Sequence, residues 1–189
     1  MTTAEPKHFR HSGIGTRYIH KSMAKFAEQR VGVLVDISNL YHSARVLYHK
    51  KVNFKAVLET AVAERKLIRA IAYGITTTEG MEEKFLETLK TYGYDVKTKD
   101  LQIFPDGSKK GDWDVAIAID AIKMAPKLDV VVLISGDGDY IPLVEYLQGT
   151  FGCRVEVLAF AESTSAKLIE ASDDFLDLSS DKRKFLLGK

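Results

Sequence analysis

The feature that most constrains the fold is an alternation, from Val31 onward, of short apolar runs with amphipathic stretches. Several runs are almost wholly Val, Ile and Leu, as is typical of strands covered on both faces. The stretches between them carry apolar residues at helical spacing. This order of elements predicts βαβ units around a parallel sheet. The predicted strands are residues 31–35, 68–75, 94–98, 130–134, 155–160 and 175–178, and the predicted helices are residues 38–50, 53–66, 79–92, 113–125, 139–149 and 163–171.

The charge distribution divides the chain into one domain between two basic ends. A chain of 189 residues is long enough for one domain with a sizeable core. Residues 1–30 carry six Lys or Arg against two acids, whereas residues 31–178 carry 17 against 23. We therefore predict a basic, partly flexible N-terminal arm (1–30), a domain (31–178) and a short basic C-terminal tail (179–189). The arm could contact RNA, hold a protein partner or a second copy of the chain, or stay disordered.

The apolar runs and the cysteine content indicate the cellular compartment of the protein. No apolar run approaches the roughly 20 residues that a membrane span needs, and no apolar signal segment follows the basic N-terminal stretch. Cys153 is the only cysteine, which excludes an intrachain disulfide and a Cys-rich zinc site. We therefore expect a cytoplasmic protein with no membrane partner.

Acidic residues follow two of the predicted strands directly. The first strand runs into Asp36, and Asn39 comes soon after it. The fourth strand ends in "SGDGDY", which places Asp137 and Asp139 in a glycine-rich turn. In open α/β sheets the functional site lies outside the carboxyl ends of the strands, where the strand order reverses. These carboxylates are therefore candidates for a shared site.

The stretch "KKGDWDVAIAID" adds further acids. Asp112 and Asp114 fall at the start of a predicted helix, where capping and the helix dipole alone would favour an acid. Asp120 lies inside the apolar part of that helix, so it should face either a partner or a cation. Converging carboxylates repel one another, and a divalent cation relieves this repulsion. An oxygen-only set favours Mg²⁺ or Mn²⁺ over Zn²⁺.

Five motifs in this order resemble the NYN family, the PIN-like nuclease domains that include the LabA-like bacterial proteins. They are "VLVDISNL" (33–40), "DWDVAIAID" (112–120), "VVLISGDGDYIPLV" (131–144), "GCRVEVLAF" (152–160) and "SAKLIEASDDFLDL" (165–178). The resemblance covers about residues 31–178. It implies a three-layer α/β/α PIN-like (Rossmannoid) fold with a mainly parallel central sheet. It also implies a metal-dependent endoribonuclease that hydrolyses RNA phosphodiester bonds with metal-activated water.

The resemblance also implies roles for the residues of the motifs. The implied catalytic residues are Asp36, Asn39, Asp114, Asp120, Asp137 and Asp139. Asp36, Asp114 and Asp137 are the predicted direct ligands of Mg²⁺ or Mn²⁺. Asp120 and Asp139 would ligate directly or through water, and Asn39 would position substrate or water. Many family members read Lys-Gly-x-Asp before the helix, and this chain is one residue longer, so Asp112 remains an alternative to Asp114. We choose Asp114 because its spacing to Asp120 fits.

Cations near these motifs are either contacts for the phosphates of single-stranded RNA or ordinary solvated surface residues. The candidates are Arg45, Lys97, Lys99, Lys109 and Lys110, with Ser135 as a supporting donor. The alternative is a non-catalytic RNA-binding or regulatory NYN module, although every expected acidic position is filled. An Asp-nucleophile phosphatase is disfavoured because Ser38 stands where a second Asp is usual. Dinucleotide binding is disfavoured because no Gly-rich turn follows the first strand.

Overall fold

The computed structural model describes residues 24–76, 83–100, 102–103, 109–110 and 112–188. In this part of the chain a six-stranded sheet is flanked by helices. Its strands are β1 (Arg30–Asp36), β3 (Lys66–Thr76), β4 (Asp95–Asp100), β7 (Val130–Ile134), β8 (Arg154–Ala159) and β9 (Asp174–Asp177). Two small antiparallel pairs join β2 (Lys51–Val52) to β10 (Leu186–Leu187) and β5 (Gln102–Ile103) to β6 (Lys109–Lys110). The helices are α1 (Ile37–Tyr48), α2 (Phe54–Val62), α3 (Glu83–Thr91), α4 (Asp114–Met124), α5 (Ile141–Phe151), α6 (Ala166–Ala171) and α7 (Lys182–Phe185).

The strand order of the main sheet is β4-β3-β1-β7-β8-β9, and every neighbouring pair is parallel. From β1 the chain adds β3 and β4 on one side. It then returns to place β7, β8 and β9 on the other side. The order therefore reverses between β1 and β7, which are neighbours. The predicted α/β fold with a parallel central sheet is confirmed.

Helices cover both faces of this sheet, which is why its strands read as continuous apolar runs. Residues Val31, Val33 and Val35 of β1 face a core built with α1, α2 and α7. Leu34 of the same strand faces a second core built with α4, α5 and α6. All five residues of β7 are buried. The described residues include no helix with both the length and the apolar character to cross a membrane.

The helix boundaries follow local chemistry. Asn53 caps α2, as its residue type predicts, by accepting a hydrogen bond from the backbone N–H of Ala56 at 3.2 Å. Gly93 follows α3 with a φ of +100°, a backbone conformation that favours glycine. By its residue type Ser38 is a plausible N-cap for the predicted helix 38–50, but the structure begins α1 one residue earlier, at Ile37, and uses Asp36 as the cap.

The structure folds most of the segment that we predicted as a basic C-terminal tail. Residues 182–187 form α7 and β10, and Phe185 and Leu186 are only 3% and 5% exposed. Asn53 holds this segment, since its backbone N–H donates to the Phe185 carbonyl at 2.8 Å. The basic residues of this segment led to the prediction of a tail, whereas its buried apolar residues Phe185 and Leu186 attach it to the domain. The folded part of the chain therefore extends beyond Leu178.

The N-terminal arm is described only from Ala24, and its first 23 residues lie outside the described part of the chain. Just before β1, the Lys25 ammonium lies 3.3 Å from a carboxylate oxygen of the buried Glu156 in β8. The carbonyl of Ala24 accepts a hydrogen bond from Arg154 at 3.4 Å. The described end of the arm therefore contacts the amino-terminal end of the sheet.

Candidate metal centre

The candidate site lies where the strand order reverses. Val35 of β1 pairs with Ile134 of β7, so Asp36 and Ser135 leave the sheet side by side at its carboxyl edge. This edge of an open α/β sheet, at the point of reversal, is the usual place for a binding crevice. The neighbouring acids that follow these two strands are thus in the position that the sequence predicted.

Asp36 and Asn39 connect the two strand ends. Asp36 is 9% exposed, and its Oδ1 accepts a hydrogen bond from the Asn39 backbone N–H at 3.0 Å, which caps α1. The Asn39 side chain in turn accepts a hydrogen bond at its Oδ1 from the Gly136 backbone N–H at 3.0 Å. The first turn of α1 is therefore attached to the loop after β7, which fixes Asp36 relative to Asp137.

The loop after β7 is shaped by its own hydrogen bonds. The buried Ser135 hydroxyl accepts from the Asp137 backbone N–H at 3.3 Å, and Asp137 Oδ1 accepts from the Asp139 N–H at 3.0 Å. The Gly136 carbonyl accepts from the Ser165 N–H at 2.9 Å. A Cβ on Gly136 would lie 2.8 Å from Thr164 Oγ1 and 3.0 Å from the Ser163 carbonyl oxygen. Only glycine fits this close backbone approach without displacing the loop.

The start of α4 adds a third acid. Asp114 is the first residue of α4, and its Oδ1 accepts a hydrogen bond from the Tyr140 hydroxyl at 2.8 Å. One carboxylate oxygen from each of Asp114, Asp137 and Asp139 lies within 4.8 Å of the others. These three residues are called the acid group below. Asp36 is not among them, but it is electrostatically coupled to Asp114 and Asp137. Asp112 is exposed and lies outside the acid group, although its backbone carbonyl accepts a hydrogen bond from Lys99.

Burial and the neighbouring carboxylates disfavour the charged forms of Asp36 and Asp114. Burial raises the pKa of Asp36, and the nearby carboxylates of Asp114 and Asp137 raise it further. Burial also raises the pKa of Asp114, with added repulsion from Asp137 and Asp139. Within the described residues, no Lys or Arg forms an ion pair with these four acids. No ion pair among the described residues therefore offsets the repulsion between these acids, and a bound divalent cation could do so.

The donor set fits a small divalent cation. Mg²⁺ binds oxygen ligands at 2.0–2.1 Å, which places ligand oxygens within about 4 Å of one another. The oxygens of the acid group lie within 4.8 Å of one another, which is close to this spacing. Asp137 is half-buried and Asp139 is exposed, so a hydrated ion can approach from solution. The acid group could therefore hold a divalent metal ion.

The structure places Asp120 apart from the acid group. Its Oδ2 accepts hydrogen bonds from the Tyr73 hydroxyl at 2.7 Å and from the Lys97 ammonium at 2.6 Å. Burial alone would raise the pKa of Asp120, but the hydrogen bonds from Lys97 and Tyr73 together lower it. Of the two partners expected for this acid, a protein group or a cation, the structure supplies Lys97 and Tyr73.

The predicted substrate contacts lie on different elements and have different partners. Arg45 lies on the exposed side of α1 and donates to the Tyr41 hydroxyl at 2.9 Å. Lys97 pairs with Asp120, and the Lys99 ammonium lies 4.6 Å from the centre of the Trp113 ring. The backbone of Lys109 and Lys110 forms β6, but their side chains lie outside the described part of the chain.

The sequence places Tyr140 beside the acidic motifs, either packed in the core or stacked on an unpaired base, but it did not predict the hydrogen bond from Tyr140 to Asp114. Its ring is 1% exposed and its hydroxyl holds Asp114, and burial beside Asp36 and Asp114 raises its pKa. The available signal was its position directly after Asp139, where a buried tyrosine must direct its hydroxyl to a polar partner. Tyr140 is therefore a positioning residue for Asp114.

Comparisons with known proteins show the family of this chain. The model of the NYN domain matches residues 30–179. The protein LabA (low amplitude and bright) of Synechococcus elongatus is 26% identical over 172 residues, which cover 85% of this chain and 89% of LabA. The crystal structure of VPA0982, a Vibrio parahaemolyticus protein of unknown function, has a TM-score of 0.78 and 35% identity. That match covers 87% of this chain and 100% of the Vibrio chain. The chain belongs to the NYN domain family.

Proposed function

We propose that this protein is a metal-dependent endoribonuclease that hydrolyses phosphodiester bonds of single-stranded RNA. The observation that carries the proposal is the acid group, with Asp36 beside it, at the reversal point of the sheet. Membership of the NYN family, within the PIN-like nucleases, and this potential metal site both support a nuclease. The choice of RNA as substrate follows the family resemblance of the motifs.

The acids of the site would hold Mg²⁺ or Mn²⁺. Asp114, Asp137 and Asp139 offer the converging oxygens, and Asp36 is a further carboxylate that is electrostatically coupled to Asp114 and Asp137. A bound divalent cation would lower the pKa of water and balance the charge of the phosphodiester. Without a cation, four neighbouring acids would repel the RNA backbone, so we expect binding and cleavage to require metal together.

Other residues of the site would keep the acids in place. Asn39 attaches the turn after β1 to the loop after β7, and Gly136 lets that loop pack closely on residues 163–165. Tyr140 orients Asp114 through its hydroxyl. Such supporting contacts fix the direction of a ligand and tune its affinity for metal. The chain would thus present a pre-arranged set of oxygens.

Cations around this edge would hold the RNA backbone. Arg45 and Lys97 are at least partly exposed, and we propose them with Lys109 and Lys110 as phosphate contacts. Asp120 would serve the site by holding Lys97, and Ser135 by shaping the loop that carries Asp137. A role of the N-terminal arm in binding RNA, a protein partner or a second copy of the chain remains a prediction.

The test is cleavage of a labelled single-stranded RNA pool by the purified protein in Mg²⁺, Mn²⁺ or EDTA. We expect cleavage with either metal, none in EDTA, and none with Asp36→Asn or Asp137→Asn. Asp129→Asn is the matched control, because Asp129 precedes β7 at the opposite end of the same strand and pairs with Arg30. This variant should cleave as the wild type does.

The outcomes separate the two functions considered. Cleavage that survives in EDTA or in Asp137→Asn would overturn the proposal. Binding of RNA without cleavage, equally strong in the wild type and in both site variants, would favour a non-catalytic RNA-binding module. Circular dichroism of each variant verifies that lost cleavage does not reflect lost folding.

A further inference from the structure

A groove opens beside the acid group, between α4 and α5. Its volume is about 400 Å³, which is within the usual range for ligand pockets. Val115, Ala118 and Ile122 of α4 line one wall, and Leu143 and Tyr146 of α5 line the other. Asp114 and Asp139, two members of the acid group, also line it. The groove and the candidate metal centre are thus one continuous surface.

The walls of this α4–α5 groove carry apolar side chains that are exposed to water. Val115 is 69% exposed, Tyr146 is 46% exposed, and Ile119 on the adjoining turn of α4 is 45% exposed. Phe151 meets the Tyr146 ring at an angle of 79° with the ring centroids 5.8 Å apart, which restrains that ring. A restrained aromatic ring beside an apolar wall can stack with a flat ligand.

The charges of the groove decide which part of a nucleic acid it can take. The residues that line it include no Lys or Arg, and its two charged members are acids. A phosphate group inside the groove would therefore be repelled. A nucleobase has apolar faces and no charge, and in a nucleic-acid strand it lies one nucleotide unit from a phosphate. The protein surface matches this arrangement. The apolar groove suits the base, and the adjoining acid group, with a cation bound, suits the phosphate.

We propose that the α4–α5 groove binds an unpaired nucleobase of the strand whose phosphate lies at the acid group. The inference rests on the proposed nuclease function and adds to it the surface that would hold a base of the single-stranded substrate. In a duplex each base is stacked on its neighbours and paired, so it cannot enter a groove between two helices. An unpaired base can leave its stack and lie against Tyr146.

The experiment places one abasic nucleotide at each successive position of a 12-nucleotide labelled RNA and maps cleavage in Mn²⁺. Loss of a base that occupies the groove should slow cleavage about tenfold, because stacking on one aromatic ring contributes about that much. The loss should occur at one fixed distance from the cleaved bond. A duplex of the same sequence should resist cleavage.

Two variants connect this effect to the groove. Tyr146→Ala should slow cleavage of the intact RNA about tenfold and should remove the extra loss caused by the abasic nucleotide. Tyr146→Phe keeps the ring and should behave as the wild type. Tyr92→Ala is the control for loss of an exposed tyrosine, because Tyr92 is 38% exposed and follows α3, which packs on the other face of the sheet from α4 and α5. It should change nothing.

Each outcome bears on one of the two proposals. Cleavage of the intact RNA at a rate that no abasic position changes would uphold the nuclease and overturn the base-binding groove. Absence of cleavage for every RNA would overturn the nuclease, and the groove proposal with it. If Tyr146→Ala leaves cleavage unchanged but alters the elution volume in size-exclusion chromatography, the groove is a contact between two copies of the chain and the base-binding proposal is wrong.

Discussion

Tyr140 shows how one buried hydroxyl can control a carboxylate at the site. Its O–H donates to Asp114 Oδ1 at 2.8 Å, in a group of acids that repel one another. Tyr140→Phe removes this hydrogen bond and leaves the ring in place. We expect the affinity for Mn²⁺, measured by calorimetry, to fall about tenfold, as for other lost supports of a metal ligand. Stability should fall by only about 1 kcal/mol.

Tyr94 provides the control for this variant. It is a buried tyrosine whose hydroxyl donates to the Phe54 carbonyl at 2.9 Å, away from the acid group. Tyr94→Phe should reduce stability by a similar amount and leave Mn²⁺ affinity unchanged. If both variants bind Mn²⁺ as the wild type does, Tyr140 has no part in positioning Asp114.

For Asp120 the sequence and the structure indicate different partners, and a single substitution can distinguish them. The sequence predicts a metal ligand, whereas the structure engages its Oδ2 with Lys97 and Tyr73. From these contacts we expect Asp120→Asn to bind Mn²⁺ nearly as well as the wild type. It should lose about 1 kcal/mol of stability, because the pair with Lys97 is partly exposed. Loss of Mn²⁺ binding equal to that of Asp137→Asn would instead place Asp120 among the ligands.

These residues also show which parts of the site could be predicted. Asp36, Asp137 and Asp139 follow strands directly, so the strand pattern alone placed them at the carboxyl edge. The partners of Asp114 and Asp120 are Tyr140 and Lys97, which lie 26 and 23 positions away in the chain. Such pairs form only when the elements pack together, and no local pattern encodes them.

At the scale of elements, the loop after β7 depends on close packing against the segment that precedes α6. A methyl group at Gly136 would lie 3.0 Å from the Ser163 carbonyl oxygen and 3.1 Å from Thr164 Cα, and backbone atoms cannot easily move away. We expect Gly136→Ala to lower stability by about 1–3 kcal/mol, as overpacking does. It should also weaken Mn²⁺ binding, because the loop carries Asp137 and Asp139.

Gly149 gives the opposite expectation for the same substitution. It lies within α5, and a Cβ there would have no neighbour within 4 Å. Gly149→Ala should stabilise the protein by about 0.5–1 kcal/mol, because alanine favours a helix over glycine. Thermal melts with and without Mn²⁺ compare the two variants. If Gly136→Ala melts and binds metal as the wild type does, the loop adapts and its glycine is not required.

The ends of helices could be predicted where a residue type marks them locally. They could not be predicted where they depend on contacts with distant parts of the chain. Asn53 and Gly93 mark helix ends by residue type, and the structure agrees. Asp36 replaced Ser38 as the cap of α1 because β1 runs directly into that helix with no intervening turn. The burial of Phe185 depends on α2 and β2, elements formed more than 120 residues earlier in the chain.

Across the whole molecule, the acids at the two ends of the sheet differ in whether they form ion pairs. At the carboxyl edge the acid group has no Lys or Arg partner among the described residues, whereas Glu156 of β8 is buried with three cations around it. Arg65 donates to both of its carboxylate oxygens, at 2.8 and 2.9 Å, from 91 positions away in the chain. Among the described residues, the fold therefore pairs this structural carboxylate with its own cations, whereas the acid group has no such ion pair.

This contrast predicts a pH dependence of stability. Burial alone would raise the pKa of Glu156, but its hydrogen bonds with Arg65 and the nearby cations lower it below the ordinary value of 4.5. A carboxyl whose pKa is lower in the folded state stabilises the protein fully above its unfolded pKa. Glu156→Gln should therefore cost about 3–5 kcal/mol near pH 7, because it leaves Arg65 buried without its counter-charge.

The difference in stability between Glu156→Gln and the wild type should shrink as the pH falls below about 4.5, because the Glu156 carboxyl of the unfolded wild-type chain then binds a proton before that of the folded protein does. Urea unfolding of both proteins across this pH range measures it. Glu59→Gln is the matched control, since Glu59 is 64% exposed and lies 3.9 Å from Lys55, and it should change stability by less than about 1 kcal/mol at any pH. A loss in Glu156→Gln that is the same at every pH would mean that packing of the side chain, and not its charge, supports the amino-terminal end of the sheet.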